Sequence, residues 1–119
     1  IIDIRRNNKS QLAGFTKEID LKFFLKKIAK IKYIYLNSFA PEELLLKNYR
    51  SKKFNWIQFE EKYLDQIKNY GEWEDFDIDI LQDGCLLCSE SLPSKCHRRL
   101  FAEFLFSKFK DKSIQIVHL

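Results

Sequence analysis

Methionine is missing from all 119 residues, and glycine (three) and proline (two) are nearly as scarce. So little Gly and Pro excludes long flexible linkers, and the length suits one domain over residues 1–119. No Met stands at position 1, where Ile1-Ile2-Asp3-Ile4 already reads as a strand. The expectation is a domain incomplete at its N-terminus, with an upstream strand and helix left out. No apolar run approaches the ~18 residues of a membrane span, and no signal peptide is visible. Cysteine occurs three times, at Cys85, Cys88 and Cys96. An odd count in a chain this size argues against a secreted disulfide scaffold and for a reducing, cytoplasmic setting. A glycine-rich dinucleotide fingerprint is also missing, which counts against ordinary NAD or ATP binding.

What is present is an apolar, aromatic chain. Hydrophobic residues make up 45% and aromatics 15%, with eleven Phe, enough for a real core and unlike a disordered segment. The net charge of +4 is unevenly spread. Glu72, Glu74, Asp75, Asp77, Asp79 and Asp83 stand together with no Lys or Arg among them, leaving 21 basic residues against 11 acidic elsewhere. A basic body suits an anionic partner, a small molecule or nucleic acid; the plainer alternative is a set of solvated lysine faces. The acidic window matches no metal-loop spacing and reads as a short helix and loop with a solvated face.

Strand and helix patterns alternate along the chain. Ile1–Ile4 and Ile31–Leu36 read as strands, with a turn-rich loop from Asn7 to Lys17. Asp20 is expected to cap a helix to about Lys30 with Leu21, Phe24, Leu25 and Ile28 inward. Pro41-Glu42-Glu43 opens another, with Leu44, Leu45 and Tyr49 inward. Asn55 should cap a long helix from Trp56 to Tyr70, with Trp56, Phe59, Tyr63 and Ile67 as core and Gly71 as its stop. Gly84–Cys88 is a third strand, Lys95 to about Lys110 a helix carrying Leu100, Phe101, Phe104, Leu105 and Phe109, and Ser113–Leu119 a last strand. This order means α/β: a Rossmann-like three-layer domain with a mainly parallel sheet, whose ligands bind at the carboxyl ends of the strands.

Two such ends are chemically dense. One is Asp3-Ile4-Arg5-Arg6, and the other runs from Cys88-Ser89-Glu90 to Cys96-His97-Arg98-Arg99. Cys96, His97 and Arg98 fall at a helix start, where free N–H groups and the dipole favour an anion. Asp3, Arg5, Ser10, Arg98 and Arg99 are the ligand-binding candidates, the arginines as bidentate clamps. The alternative for Arg98 and Arg99 is an ion pair with Asp3 or Glu90. Cys88, Glu90, Cys96 and His97 are the catalytic candidates, a thiol with His97 as base and a carboxylate as orienter. The alternative for Cys88 is a small core residue. His118 receives no role. Zinc on Cys85, Cys88, Cys96 and His97 is disfavoured: residues three apart on a strand face opposite ways, and neighbours on a helix diverge by about 100°. No metal and no cofactor are therefore assigned.

The motifs Ile2-Asp3-Ile4-Arg5, Leu86-Leu87-Cys88-Ser89-Glu90 and Pro93-x-x-Cys96-His97-Arg98-Arg99-Leu100 together resemble a bacterial and archaeal family, domain of unknown function 488. That family is similar in its Asp-Val-Arg and Leu-Leu-Cys-x-Glu strand ends and its Pro-x-x-Cys-His-Arg helix start. Asn7-Asn8-Lys9-Ser10, Gly14-Phe15 and Val117-His118-Leu119 look like one branch of it. The resemblance covers essentially the whole chain and implies a Rossmann-like α/β domain whose members usually begin with a further strand and helix. It brings no reaction. The expectation from the residues is a crevice for a phosphate-bearing, nucleotide-like or other anionic ligand, open to thiol-assisted hydrolase or transferase chemistry. A non-catalytic nucleic-acid-backbone module, or a purely structural polar cluster, is the alternative. Whether the chain is an enzyme, and its oligomeric state, stay open.

Overall fold

The three apolar segments at the strand positions of the sequence meet side by side. In a computed structural model, which describes residues 1–9, 14–110 and 113–119, β1 (Ile2–Asp3) lies between β2 (Ile34–Tyr35) and β3 (Leu86–Leu87). Both pairings are parallel, with Ile2 opposite Ile34 and Leu86, and Asp3 opposite Tyr35 and Leu87. The strands are two residues long because backbone pairing stops where Ile4 N–H reaches Leu87 O and Leu36 N–H reaches Asp3 O. Four helices complete an α/β fold of Rossmann-like kind: α1 (Glu18–Phe24), α2 (Glu43–Arg50), α3 (Trp56–Tyr70) and α4 (His97–Lys108). No helix among the described residues is long and apolar enough to cross a membrane.

The core sits where α3 packs on α2 and α4 over the central strand. Ile2 of β1 and Ile4 just beyond it meet Phe59, Tyr63 and Ile67 of α3 and Leu100, Phe101, Phe104 and Leu105 of α4. The rings of Phe39, Phe76 and Phe101 touch one another, and Trp73 stands edge-on to Phe104. α3 forms as its sequence dictates. Asn55 and Gln58 exchange side-chain and backbone hydrogen bonds in a capping box, and Gly71 stops the helix at φ 67°. The acidic window folds as a turn and a 3₁₀ turn, Ile78–Leu81; Trp73, Phe76, Ile78 and Leu81 join the core, Ile80 stays exposed, and Asp77 caps the 3₁₀ turn.

Several expectations are corrected. Asp20 lies inside α1, which begins at Glu18 after Lys17; the helix then loosens into a π turn, Leu25–Ala29, and buries none of its side chains. In α2 the inward pair is Leu45 and Leu46, whereas Leu44 is 65% exposed. The helix starts at Glu43, after the cap Glu42, two residues later than a Pro41 opening implies. Residues 113–119 run as irregular chain, not as a strand. Cys96 is the cap of α4 and not part of its first turn; a 3₁₀ turn, Pro93–Lys95, precedes it.

β3 is entered through Gly84, where a Cβ would lie 2.4 Å from Ile2 Cδ1 and 2.8 Å from Leu81 O. Overpacking of this kind costs about 1–3 kcal/mol. Gly84→Ala is expected to lose that much in chemical denaturation, while Gly14→Ala, whose Cβ meets nothing within 4 Å, stays near wild type.

Candidate functional site

The carboxyl end of β1 is held by a buried carboxylate. Asp3 is 0% exposed. Its Oδ1 accepts from Arg5 backbone N–H at 3.0 Å and Arg5 Nε at 2.8 Å, and its Oδ2 accepts from Arg5 Nη2 at 2.7 Å. Tyr33 hydroxyl also donates to Oδ2, at 2.5 Å. Burial, then the bond to Asp3, pushes the Tyr33 hydroxyl well above its ordinary range, so it stays a donor. Asn8 Nδ2 bonds Glu18 and the Tyr33 oxygen, and Arg5 Nη2 also donates to Thr16 O, which anchors the start of the long loop. Asp3 is thus held by Arg5 and Tyr33, and much of the Arg5 guanidinium is already engaged.

One residue on, Ile4 O faces His97 Nε2 at 3.0 Å. A carbonyl only accepts, so Nε2 carries the proton and Nδ1 carries the lone pair. Burial lowers the His97 pKa, with Glu90 opposing, so the ring is neutral near pH 7. Its Nδ1 points at Glu90 Oε2, 3.6 Å away. Glu90 Oε2 in turn lies 3.7 Å from Cys96 Sγ, and Cys96 Sγ lies 2.6 Å from Cys88 Sγ. The four catalytic candidates, Cys88, Glu90, Cys96 and His97, thus form one cluster whose donor atoms all lie within 4.8 Å of one another.

The local backbone explains the convergence. Cys96 sits at the cap with extended φ −135° and ψ 133°, so it and His97 do not follow helical spacing and both turn inward. Its Sγ accepts from Arg98 N–H at 3.4 Å, as a cap side chain does. The bond with Cys88 chiefly, and the Arg98 N–H, lower the Cys96 thiol; the same bond, burial and Glu90 raise Cys88. Both thiols are enclosed, Cys96 at 0% and Cys88 at 7% exposure, and neither disulfide-bonded. Cys85, three residues before Cys88, is exposed and outside the cluster.

Above the cluster opens a cleft of about 710 Å³. Arg5, Ser89, Glu90 and His97 reach it from the strand ends and the start of α4. Arg6, Asn7, Lys47 and Arg50 also line it and were not singled out from the sequence. The signals were there but weak: Arg6 follows Arg5, and Lys47 and Arg50 share the polar face of α2. Arg98 and Arg99 do not join them. Arg98 bonds Ser91 O at 3.5 Å and lines a separate cleft beside residues 113–119. Arg99 pairs with Glu103 at 2.8 Å and Glu60 at 3.3 Å, which ties α4 to α3. Ser10 lies outside the described residues, and His118 stands 3.9 Å from Glu103.

Removing one partner of a buried ion pair costs roughly 3–5 kcal/mol, because the survivor keeps its charge without compensation. Asp3→Ala is expected to lose stability on that scale in urea unfolding. Tyr33→Phe removes only a hydroxyl and should lose about 1 kcal/mol. Equal losses in the two variants would contradict this account of the strand end.

No curated protein and no solved structure matches the chain. A family model does: it spans residues 1–105, from the first strand through nearly all of α4, and so takes in the Asp3-Ile4-Arg5 end, the thiols and the helix start together. The chain belongs to the family described as Domain of unknown function DUF488.

Proposed function

We propose that the cleft at the strand ends binds an anionic small molecule, a phosphate-bearing one above all. The observation that carries this is the charge on its walls. Arg6, Lys47 and Arg50 line it, and none has a carboxylate within ion-pair distance in the described structure. Arg5 contributes a fourth cation, neutralised from behind by Asp3. Two carboxylates, Glu43 and Glu90, face these four cations. Unpaired guanidinium groups in a recess are the usual way to recognise phosphate or carboxylate, and the volume suits a small ligand. The cleft also lies where open parallel sheets bind ligands, beyond the carboxyl ends of the strands.

This reading separates binding from thiol chemistry. Cys96 and Cys88 are closed off beneath the floor, and the groups that reach the cleft from the cluster are Glu90 and His97. A proton acceptor for a bound ligand would be Glu90, which is half-buried, and not a sulfur. A thiol-assisted hydrolase or transferase step gains no support from that arrangement.

The test is titration with inorganic phosphate and with a nucleoside monophosphate, followed by calorimetry. Each charged hydrogen bond lost costs about 1.5–3 kcal/mol, or ten- to a hundredfold in affinity. Arg50→Ala and Arg6→Ala are expected to weaken binding by that factor, and Arg98→Ala, on the other cleft, to leave it unchanged. Binding that ignores Arg6 and Arg50 would sink the proposal. Binding of long single-stranded DNA with a steep salt slope, against none for the mononucleotide, would favour the nucleic-acid-backbone alternative.

A further inference from the structure

The four donors under the cleft are unlike a core. Two thiols, an imidazole and a carboxylate occupy one small volume, and three of the four side chains are buried. Enclosed thiols are common as small apolar residues, yet here the sulfurs face each other and a carboxylate instead of aliphatic groups. The imidazole is also aimed. His97 gives its Nε2 proton to Ile4 O, which fixes the ring and turns the bare Nδ1 toward Glu90. A ring held this way, by a backbone carbonyl on the far nitrogen, is how proteins present histidine to a metal.

We infer that Cys88, Cys96, His97 and Glu90 form a zinc site, with His97 ligating through Nδ1 and Glu90 as the ligand nearest the cleft. The donor chemistry selects the ion. Two sulfurs and an imidazole are too soft for magnesium or calcium, which take oxygen, and suit zinc in a tetrahedral site. The spacing is of the order an ion needs, all four donors lying within 4.8 Å of one another. Bonds of about 2.0–2.3 Å to one tetrahedral ion put donors roughly 3.3–3.8 Å apart. The Glu90–His97 and Glu90–Cys96 separations are 3.6 and 3.7 Å. The sulfurs are closer, at 2.6 Å. Zinc would have to part them by about an ångström, with each thiol giving up its proton and bonding as thiolate. The start of α4 helps to carry that charge, since Arg98 N–H already points at Cys96 Sγ.

The objection raised by the sequence falls on one ligand only. Cys85 does face away, and Glu90 takes its place. Cys96 and His97 converge because the first is a cap in extended conformation and the second begins the helix. The inference does not rest on the anion reading, since none of its four ligands is a cleft cation.

Zinc content and cobalt spectroscopy test it on the full chain, purified in reducing buffer. Cys85→Ser protein is expected to hold one zinc per chain. After metal removal it should bind one Co²⁺ with a thiolate-to-cobalt charge-transfer band and the visible bands of a tetrahedral ion. Cys96→Ser should lose the stoichiometric zinc. Because that variant can fail to fold, Glu90→Gln serves as the second: its side chain is 36% exposed, circular dichroism should match wild type, and cobalt affinity should fall at least tenfold with the thiolate band kept. Wild-type protein free of zinc that binds Co²⁺ without the charge-transfer band would overturn the site. So would a Cys88–Cys96 disulfide in place of metal, or an unchanged cobalt affinity in Glu90→Gln. Phosphate titration is read separately, so loss of the cleft proposal and loss of the zinc site are distinct results.

Discussion

A carboxylate with no access to water decides how the rest of the molecule is arranged. Asp3 ends the central strand and is matched on every side, by the Arg5 side chain and backbone and by Tyr33 from beside β2. An ion pair this enclosed contributes little net stability, because desolvation offsets most of the attraction. Its effect is positional. It holds Arg5 back against the strand end, beside Arg6 on the rim of one cleft and next to Ile4 O, which faces α4. That carbonyl then receives His97. A single constraint at β1 thus registers the start of α4 against the sheet, and with it Cys96 against Cys88 on the segment leaving β3.

Two chemistries follow at two depths. At the surface the cleft is open and lined by cations, with a volume of about 710 Å³. Below it the thiols are dry and adjacent. Glu90 and His97 belong to both, lining the cleft with one side and facing the sulfurs with the other. A ligand in the cleft and an ion in the cluster would therefore feel each other through the same two residues. The coupling is electrostatic: cations at the rim and the dipole of α4 both favour the anionic state of groups on the floor.

Much of the fold was legible where local signals and burial agree. Asn55, Gln58 and Gly71 bound α3 because capping and the left-handed stop are properties of a few adjacent residues. Leu100, Phe101, Phe104 and Leu105 of α4 were readable from helical spacing, and three strands and their parallel pairing from short apolar runs alternating with helices. The misses share a physical cause, which is that pattern gives a face but not what covers it. Leu44 and Leu46 are equally apolar, yet Leu46 packs into the core while Leu44 is left facing out. The face of Leu21, Leu25 and Ile28 is amphipathic, yet nothing among the described residues covers Ile28, which is 75% exposed. Ser113–Leu119 has the composition of a strand, yet it runs as irregular chain and pairs with none of the three described strands.

The site divides along the same line. Cys88, Glu90, Cys96 and His97 were found together because they crowd one short stretch, and nearness in sequence does most of the work of nearness in space. The arginines were not decided by sequence. Arg98 and Arg99 follow His97 directly, and at about 100° per residue a helix must send successive side chains to different surfaces. His97 takes the inward direction, bonded to Ile4. Arg98 and Arg99 are then forced round the helix, one to the far cleft and one to Glu60 and Glu103. The cations at the rim must come from elements that end there, the β1 terminus and α2. Cys96 escapes the helical rotation only because it is the cap. The same residue at the next position would follow the helix, and the two sulfurs would not meet.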